Sequence, residues 1–385
     1  MTTPRGFSAV GVACGVKEGG ALDLALVTGP PGSVGAAVFT TNRAAAAPVQ
    51  LSRAHLSEGP ATRAVVMNSG CANAATGDAG RAAALEMAVT TARSIDCDVA
   101  EVLVASTGTI GTALPVIRVT AGIEAAAGRL GSGAIADRTA AFAMMTTDTV
   151  PKQALYSEQS VTVGGMAKGA GMVRPDMATM LVVITTDAVA EPAVLDRSLR
   201  AAVDVSFHSL NIDGCPSTND TVFVMASGAS GVAVGDDVLR GLLTETCRDL
   251  AYQLAADAEG ASRVVTLLVA GAEDDAEARR IGRYVTDSAL VRASFFGGDP
   301  NWGRIVGALG ASGAVFQPAQ VSVEFGGTTV AARGVAAEFD EDALVEALEE
   351  GDFEVRVVVG SGPGAAEILT TDLTPDYVVF NGERS

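Results

Sequence analysis

The stretch Lys168-Gly169-Ala170-Gly171-Met172-Val173-Arg174-Pro175-Asp176-Met177-Ala178-Thr179-Met180-Leu181 joins a glycine-rich approach to an apolar, β-branched run that continues to Thr186. A hydroxyl that follows a small residue at the mouth of such a run has a chemical option. The Thr179 hydroxyl can attack the Ala178 carbonyl through a five-membered ring. The Ala178–Thr179 amide becomes an ester, which water opens. The step needs a small preceding side chain, which Ala178 supplies. It also needs a strained, fixed backbone, which Gly164, Gly165, Gly169 and Gly171 permit. After cleavage Thr179 carries a free α-amine, which titrates near about 8 and takes the proton of its own hydroxyl near neutral pH. The nucleophile then needs no histidine, and its β-branch restricts χ1. Taken alone, an Ala-Thr pair is an ordinary strand opening, so the case depends on the rest of the chain.

Composition fits that economy. The chain has 385 residues, 48% of them hydrophobic, enough for a sizeable core and two or three domain-sized units. Aromatics make up 4%, so Ala, Val and Gly must fill closely packed layers of helix and sheet. The net charge of -19 repels nucleic acid and anionic membrane, and gives an anionic substrate no long-range attraction. A carboxylate ligand would need a local cation or backbone N–H groups. Cys14, Cys71, Cys97, Cys215 and Cys247 are odd in number and dispersed, which reads as a reducing compartment without a disulfide framework or zinc site. With two histidines, His55 and His208, a His-rich metal site is excluded and a Ser-His-Asp triad has no supporting motif. No cofactor is implied. Met1–Phe7 lacks the apolar core of a signal peptide, and no apolar run approaches a membrane span. The expectation is a cytoplasmic protein.

Strand-like and helix-like segments alternate. Strands are expected at 22–27, 36–40, 64–67, 102–105, 181–186, 221–225, 264–270, 321–325, 353–359 and 366–371. Helices are expected at 78–94, 115–128, 134–145, 192–205, 237–255, 274–284 and 340–350, with Asp78 as an N-cap. The alternation predicts α/β layers. Strand order and domain count do not follow from it.

Further segments carry candidate chemistry. In Ser106-Thr107-Gly108-Thr109-Ile110-Gly111 a strand feeds a glycine turn. Gly108 lets a reacting carbonyl approach its N–H, and the Thr107 hydroxyl is a second donor, so the pair suits an oxyanion hole. Lys168 suits a substrate carboxylate, and its surroundings are not a P-loop. Glu259, in Asp257-Ala258-Glu259-Gly260, suits a substrate amino group; an acidic helix end is the plainer reading. Asp299-Pro300-Asn301-Trp302-Gly303-Arg304 reads as a turn opening a helix. Asp213 to Asp220 reads as turn chemistry before a strand.

The ordered set resembles one family, the ornithine acetyltransferases (bifunctional glutamate N-acetyltransferases) of arginine biosynthesis. The matching segments are Asn68-Ser69-Gly70 with Ala72-Asn73-Ala74, Ser106 to Gly111, Met145-Thr146-Thr147-Asp148-Thr149, Lys168 to Met172 and Met177 to Leu181. Ser217 to Thr221, Asp257 to Gly260 and Asp299 to Arg304 complete the order, over nearly the whole chain. The resemblance implies self-cleavage between Ala178 and Thr179, giving an α chain of residues 1–178 and a β chain of residues 179–385 that together form the catalytic body of an α2β2 heterotetramer. It implies Thr179 as nucleophile, Thr107 and Gly108 as oxyanion hole, and Thr146, Lys168, Thr179, Glu259, Asn381 and Ser385 as substrate contacts. The implied reaction is ping-pong: Thr179 takes acetyl from N2-acetyl-L-ornithine and passes it to L-glutamate. Some members of the family also use acetyl-CoA as donor. The implied fold is an α/β (α+β) layered sandwich with two central β-sheets flanked by helices, like the self-processing aminopeptidases.

The chain departs from the family pattern in three ways: Cys71 and Ala75 in the Asn-Ser-Gly segment, Arg263 in place of a lysine, and the ending Asn381-Gly382-Glu383-Arg384-Ser385, which is shorter than usual. Two other readings remain. One is an amide hydrolase or aminopeptidase with the same nucleophile, whose acyl group goes to water. The other is a non-catalytic relative acting as a binding module, which would stay uncut.

Overall fold

In a computed structural model that describes residues 1–172 and 180–383, the expected alternation builds two compact units. The first comprises Met1–His208 and Cys215–Leu250; the second comprises Ser209–Gly214 and Ala251–Ser385.

Two sheets form the first unit. One has β1 (Ser8–Val12), β2 (Leu24–Thr28), β4 (Ala64–Cys71) and β5 (Val102–Thr109) in the order β1-β2-β4-β5. The other uses β3 (Val34–Phe39), β6 (Lys152–Glu158), β7 (Val161–Lys168), β8 (Leu181–Thr186) and β10 (Thr221–Ala226) in the order β3-β10-β8-β7-β6. The short β9 (Leu210–Asn211) belongs to the second unit.

Period-two alternation decides what each strand faces. Ala25, Val27, Val65, Met67, Leu103 and Ala105 share a core with Met166, Leu181, Val183, Phe223 and Met225 of the other sheet. Alternate residues Leu24, Leu26, Val66, Val102 and Val104 point the opposite way, into a core with Met87 of α2 (Gly77–Ile95) and Ile123 of α3 (Val116–Ala127). Helix α4 (Ala134–Met144) fills the space on the inter-sheet side with Ala140, Ala141 and Ala143. Helix α5 (Pro192–Asp204) packs along β3, and α6 (Asp236–Ala256) packs on β7. The layers run helix, sheet, sheet, helix, as expected for a sandwich with two central sheets.

The second unit adds a third sheet, of seven strands in the order β14-β13-β12-β15-β11-β16-β9. Its strands are β11 (Val264–Ala272), β12 (Ser322–Phe325), β13 (Thr328–Ala332), β14 (Val335–Ala336), β15 (Phe353–Val358) and β16 (Gly364–Thr371). Helices α7 (Asp275–Asp287), α8 (Ala289–Phe296), α9 (Trp302–Ala311) and α10 (Glu341–Glu349) contribute Ile281, Phe295, Ile305 and Leu344 to its core. The scarce aromatics are gathered there, with the Phe295 and Phe353 rings 5.7 Å apart and edge-on. The unit ends in α11 (Pro375–Gly382).

The expected elements are present with shifts of a few residues at their ends. The expectation for Gly164 and Gly165 is corrected. They stand inside the regular strand β7 and neither has a positive φ, whereas Gly169 has one, at 147°. Their smallness serves packing instead: a Cβ on Gly165 would lie 2.8 Å from Leu250 and 2.9 Å from Thr246, both on α6. Sequence reading also passed over β1, β6, β7 and the helix α1 (Ala47–Glu58), whose apolar residues keep neither period cleanly.

Gly165→Leu should force α6 off β7. Overpacking of this kind costs about 1–3 kcal/mol. The thermal midpoint followed by circular dichroism should fall by several degrees; an unchanged midpoint would contradict the close approach.

Candidate active site

Strands β7 and β8 pair antiparallel with Lys168 opposite Leu181, so residues 169–180 connect two neighbours in one sheet. Met166 faces the inter-sheet core, and alternation puts Lys168, two residues on, on the same face. On the facing sheet, Thr107 follows Leu103 and Ala105 on their face of β5. The two side chains meet: Lys168 Nζ donates to Thr107 Oγ1 at 3.2 Å. Each residue is 2% exposed, which makes Lys168 a buried cation and not the solvated surface lysine of the plainer reading.

Buried charge needs partners. Asp148 Oδ1 accepts from Lys152 Nζ at 2.7 Å and from the Gly169 N–H at 2.6 Å. Its Oδ2 accepts from the Thr146 N–H at 2.9 Å. Burial by itself would raise the Asp148 carboxyl, but Lys168, Lys152 and the Gly169 N–H together hold it below the usual carboxylate range. Lys17 approaches from the other side of Thr146, donating to the Met145 carbonyl at 2.6 Å and the Leu22 carbonyl at 3.0 Å. Its ammonium is lowered by burial, with Lys168 adding to that and Asp23 and Asp148 opposing it. Thr146 is thus held by its own N–H and by the carbonyl before it.

Thr107 and Gly108, expected in a turn, lie instead at the end of β5, paired with Ser69 and Gly70 of β4, and this end is held from three directions. Gly108 has φ 127°, and a Cβ there would lie 2.3 Å from the Gly70 carbonyl carbon, so glycine is required. The loops after β4 and β5 are joined by Ala72 N–H to Thr109 O and Gly111 N–H to Ala74 O, both 3.0 Å. Asn219 Nδ2 donates to the Ala72 carbonyl at 2.7 Å and to the Ser106 carbonyl at 2.9 Å. Gly108 itself is exposed, so its face is open to a ligand.

Asp220 stands where the connection re-enters the sheet. Its Oδ1 accepts from the Met180 N–H at 3.0 Å, while the Thr221 N–H donates to the Met180 carbonyl at 3.1 Å. Burial pushes the Asp220 carboxyl up to about 8, against smaller opposing effects of the Met180 N–H, Ser217 and Lys168.

Neither histidine takes part. His55 is buried, with Nδ1 2.8 Å from the Val102 carbonyl; His208 Nδ1 is 2.9 Å from Asp204.

Glu259 and Asn381 lie in the second unit. Glu259 is on the turn after α6, next to Gly260 (φ 66°). A Cβ on Gly260 would lie 2.3 Å from the Tyr377 nitrogen, so this turn sits against the start of α11. The Thr374 hydroxyl, which caps α11, also donates to the Gly260 carbonyl. Asn381 lies on α11 and donates to the Tyr377 carbonyl at 3.1 Å. Ala178, Thr179 and Ser385 lie outside the described residues. Asp299 to Arg304 has the architectural role expected of it: Asn301 caps α9 by accepting from the Arg304 N–H at 3.2 Å.

Sequence reading brought Thr107, Gly108, Thr146 and Lys168 into view. It missed Lys17, Asp148, Lys152, Asn219 and Asp220 as parts of the same neighbourhood. Asp148 lies in the matching segment Met145 to Thr149, and Asn219 and Asp220 lie in Ser217 to Thr221, but no role was read for them there; the i,i+4 spacing of Asp148 and Lys152 is common on solvated surfaces.

A solved ArgJ structure from Bacillus halodurans is 32% identical and superposes with a TM-score of 0.50, over 52% of this chain and 97% of that one. It places the fold among mixed α/β proteins of the ArgJ kind. The chain matches the ArgJ family over residues 8–385 and belongs to it. "Arginine biosynthesis bifunctional protein ArgJ" of Thermobifida fusca (strain YX) is 45% identical over 100% of this chain and 99% of its own length. The protein of the same name from Mycobacterium leprae (strain TN) is 44% identical over 100% of this chain and 95% of its own.

Asp148→Asn breaks its buried ion pair with Lys152, a change that typically costs about 3–5 kcal/mol. Pairing it with Lys152→Met should recover most of the loss in a denaturation double-mutant cycle. A depressed carboxyl contributes stability that is present above the ordinary carboxylate range and is lost as pH falls below that range through the lower folded-state value. The penalty of Asp148→Asn should therefore shrink in acid.

Proposed function

We propose that the chain is an acetyltransferase that carries acetyl on Thr179 from N2-acetyl-L-ornithine to L-glutamate, after cutting itself between Ala178 and Thr179. The observation that carries this reading is the Lys168–Thr107 contact, which brings together two motif residues 61 positions apart. A threonine that accepts from an ammonium keeps its own hydrogen for a ligand. Thr107 is thereby set as a donor, beside the exposed backbone of Gly108 at the end of β5.

In the first half-reaction the Thr179 hydroxyl attacks the acetyl carbonyl, and its proton passes to the Thr179 α-amine. Thr107 and Gly108 stabilise the oxyanion. Collapse breaks the C–N bond, and the α-ammonium returns the proton to the departing ornithine amine. Glutamate repeats the sequence in reverse through its own amine. Thr146, Lys168, Glu259, Asn381 and Ser385 are assigned to substrate recognition, with Lys168 the cation for a carboxylate. The chain's net charge of -19 gives an anionic substrate no long-range attraction, so the attraction falls to a local cation.

Cleavage would fall between β7 and β8, which remain paired across the cut, so both products, 1–178 and 179–385, contribute strands to one sheet. The match that uses 97% of the Bacillus halodurans chain but 52% of this one is what a half-length cleaved product gives. We extend the reading to an α2β2 assembly in the cytoplasm.

Intact-mass spectrometry should resolve two fragments joining at Ala178–Thr179, and Thr179→Ala should leave one inactive species of 38.7 kDa. Wild-type transfer by that variant would sink the assignment. A screen of acyl donors, acetyl-CoA included, against amine acceptors and water separates transfer from amide hydrolysis. Thr107→Val should lower kcat by about 100-fold, the typical loss of one oxyanion donor, with little change in KM.

A further inference from the structure

Within the second unit, Glu259 stands on the turn that leads into β11, and Asn381 on the helix that follows β16. Strands β11 and β16 pair antiparallel with Val264 opposite Thr371. The chain entering β11 therefore lies beside the chain leaving β16, and residues 110 positions apart can bond.

They do so through side chains of the outgoing segment. Asp372, 2% exposed, accepts from the Ser262 N–H at 2.9 Å with one oxygen and from the Ser262 hydroxyl with the other. The buried Thr374 hydroxyl gives its one proton to the Gly260 carbonyl and accepts the Tyr377 N–H at 3.0 Å, the cap bond of α11. One hydroxyl thus ties the residue after Glu259 to the first turn of the helix that carries Asn381.

The outgoing segment is itself anchored from α8. The buried Arg292 donates from Nε to the Thr371 carbonyl at 2.9 Å and from Nη2 to the Asp372 carbonyl at 3.0 Å. The Leu373 N–H returns a bond to the Arg292 carbonyl at 3.1 Å. A guanidinium used this way fixes backbone, which makes residues 371–374 a firm base for the turn.

We propose that Asp372 and Thr374 form a clip that positions Glu259 for a substrate ammonium, with both acting through the 259–262 turn as positioning residues. This rests on the reading of Glu259 as a substrate contact. Gly260, at φ 66°, has the widest conformational freedom of any residue type, so the turn keeps no direction of its own. The clip supplies that direction. N2-acetyl-L-ornithine carries a free δ-ammonium, the kind of group a carboxylate held in place binds through charge-assisted hydrogen bonds. A carboxylate ordered only when the ligand arrives binds more weakly, because the ordering then subtracts from affinity.

Thr374→Asp separates the two bonds of the hydroxyl: aspartate still caps α11 but has no proton for the Gly260 carbonyl. In self-cleaved enzyme with L-glutamate saturating, its KM for N2-acetyl-L-ornithine should rise about tenfold while kcat stays within about twofold, the pattern of lost uniform binding. Thr374→Ser keeps both bonds and should restore the wild-type KM. An unmoved KM in Thr374→Asp, or a fall in kcat alone, would overturn the proposal. On a Glu259→Gln background the same substitution should add little, and a full further rise in KM overturns action through Glu259. If Thr374→Asp fails to fold or to cut, Ser262→Ala decides, at an exposed position. Loss of its hydroxyl bond to Asp372 should raise the same KM several-fold, and an unmoved value overturns the proposal. Glu259→Gln alone tests the underlying reading. An unmoved KM there removes the role of Glu259 itself, whereas a raised KM there beside an unmoved Thr374→Asp removes only the clip.

Discussion

A buried ammonium must be met by acceptors and carboxylates, and Lys168 imposes that demand on the middle of the first unit. It projects from one sheet and donates to Thr107 on the other. Asp148 faces it, paired with the equally buried Lys152 and tied to the Gly169 and Thr146 N–H groups. A charged pair removed from water contributes little net stability, but breaking it is expensive. The result is a rigid patch in which the start of the 169–180 connection, the Thr146 backbone and the Thr107 hydroxyl have fixed relations. Acyl transfer needs such a patch, because an oxyanion hole stabilises only if its donors are in place before charge develops.

The far end of the connection is held differently. Met180 is bracketed by the Asp220 carboxyl on its N–H and the Thr221 N–H on its carbonyl. Asn219, one residue earlier, reaches the Ala72 and Ser106 carbonyls. Asn219, Asp220 and Thr221 thus tie the start of β10, the Thr107–Gly108 end of β5 and the re-entry of the connection into one frame. In sequence Asp213 to Asp220 reads as turn chemistry. Its part in the site arises because β10 lies between β3 and β8, with Thr221 opposite Leu181.

Much of the fold was legible. The strand runs at 64–67, 102–105, 181–186 and 221–225 are short, apolar and rich in Val, and each is a strand. The hairpin β6–β7 was not legible. Gly164 and Gly165 mimic a flexible approach, and the reason for them, close contact with α6 on one residue and with Pro4 and Met1 on the other, lies far away in sequence. Of the site, Thr107, Gly108 and Lys168 could be picked out by type and spacing. Asp148, Lys152 and Asp220 could not, since an Asp or a Lys in a sequence is most often solvated.

The sequence by itself determined the alternation of elements, the ordered motifs that mark the ArgJ family, and an expected nucleophile that dispenses with histidine. These are properties of local pattern and residue type. The tertiary structure alone decided which face of β7 turns Lys168 inward, which carboxylates answer its charge, and that Asp220 is fully buried beside Met180. Burial and pairing across sheets set those outcomes, because the energy of a charged group depends on the dielectric and on the partners around it. A linear sequence specifies neither until the chain has folded.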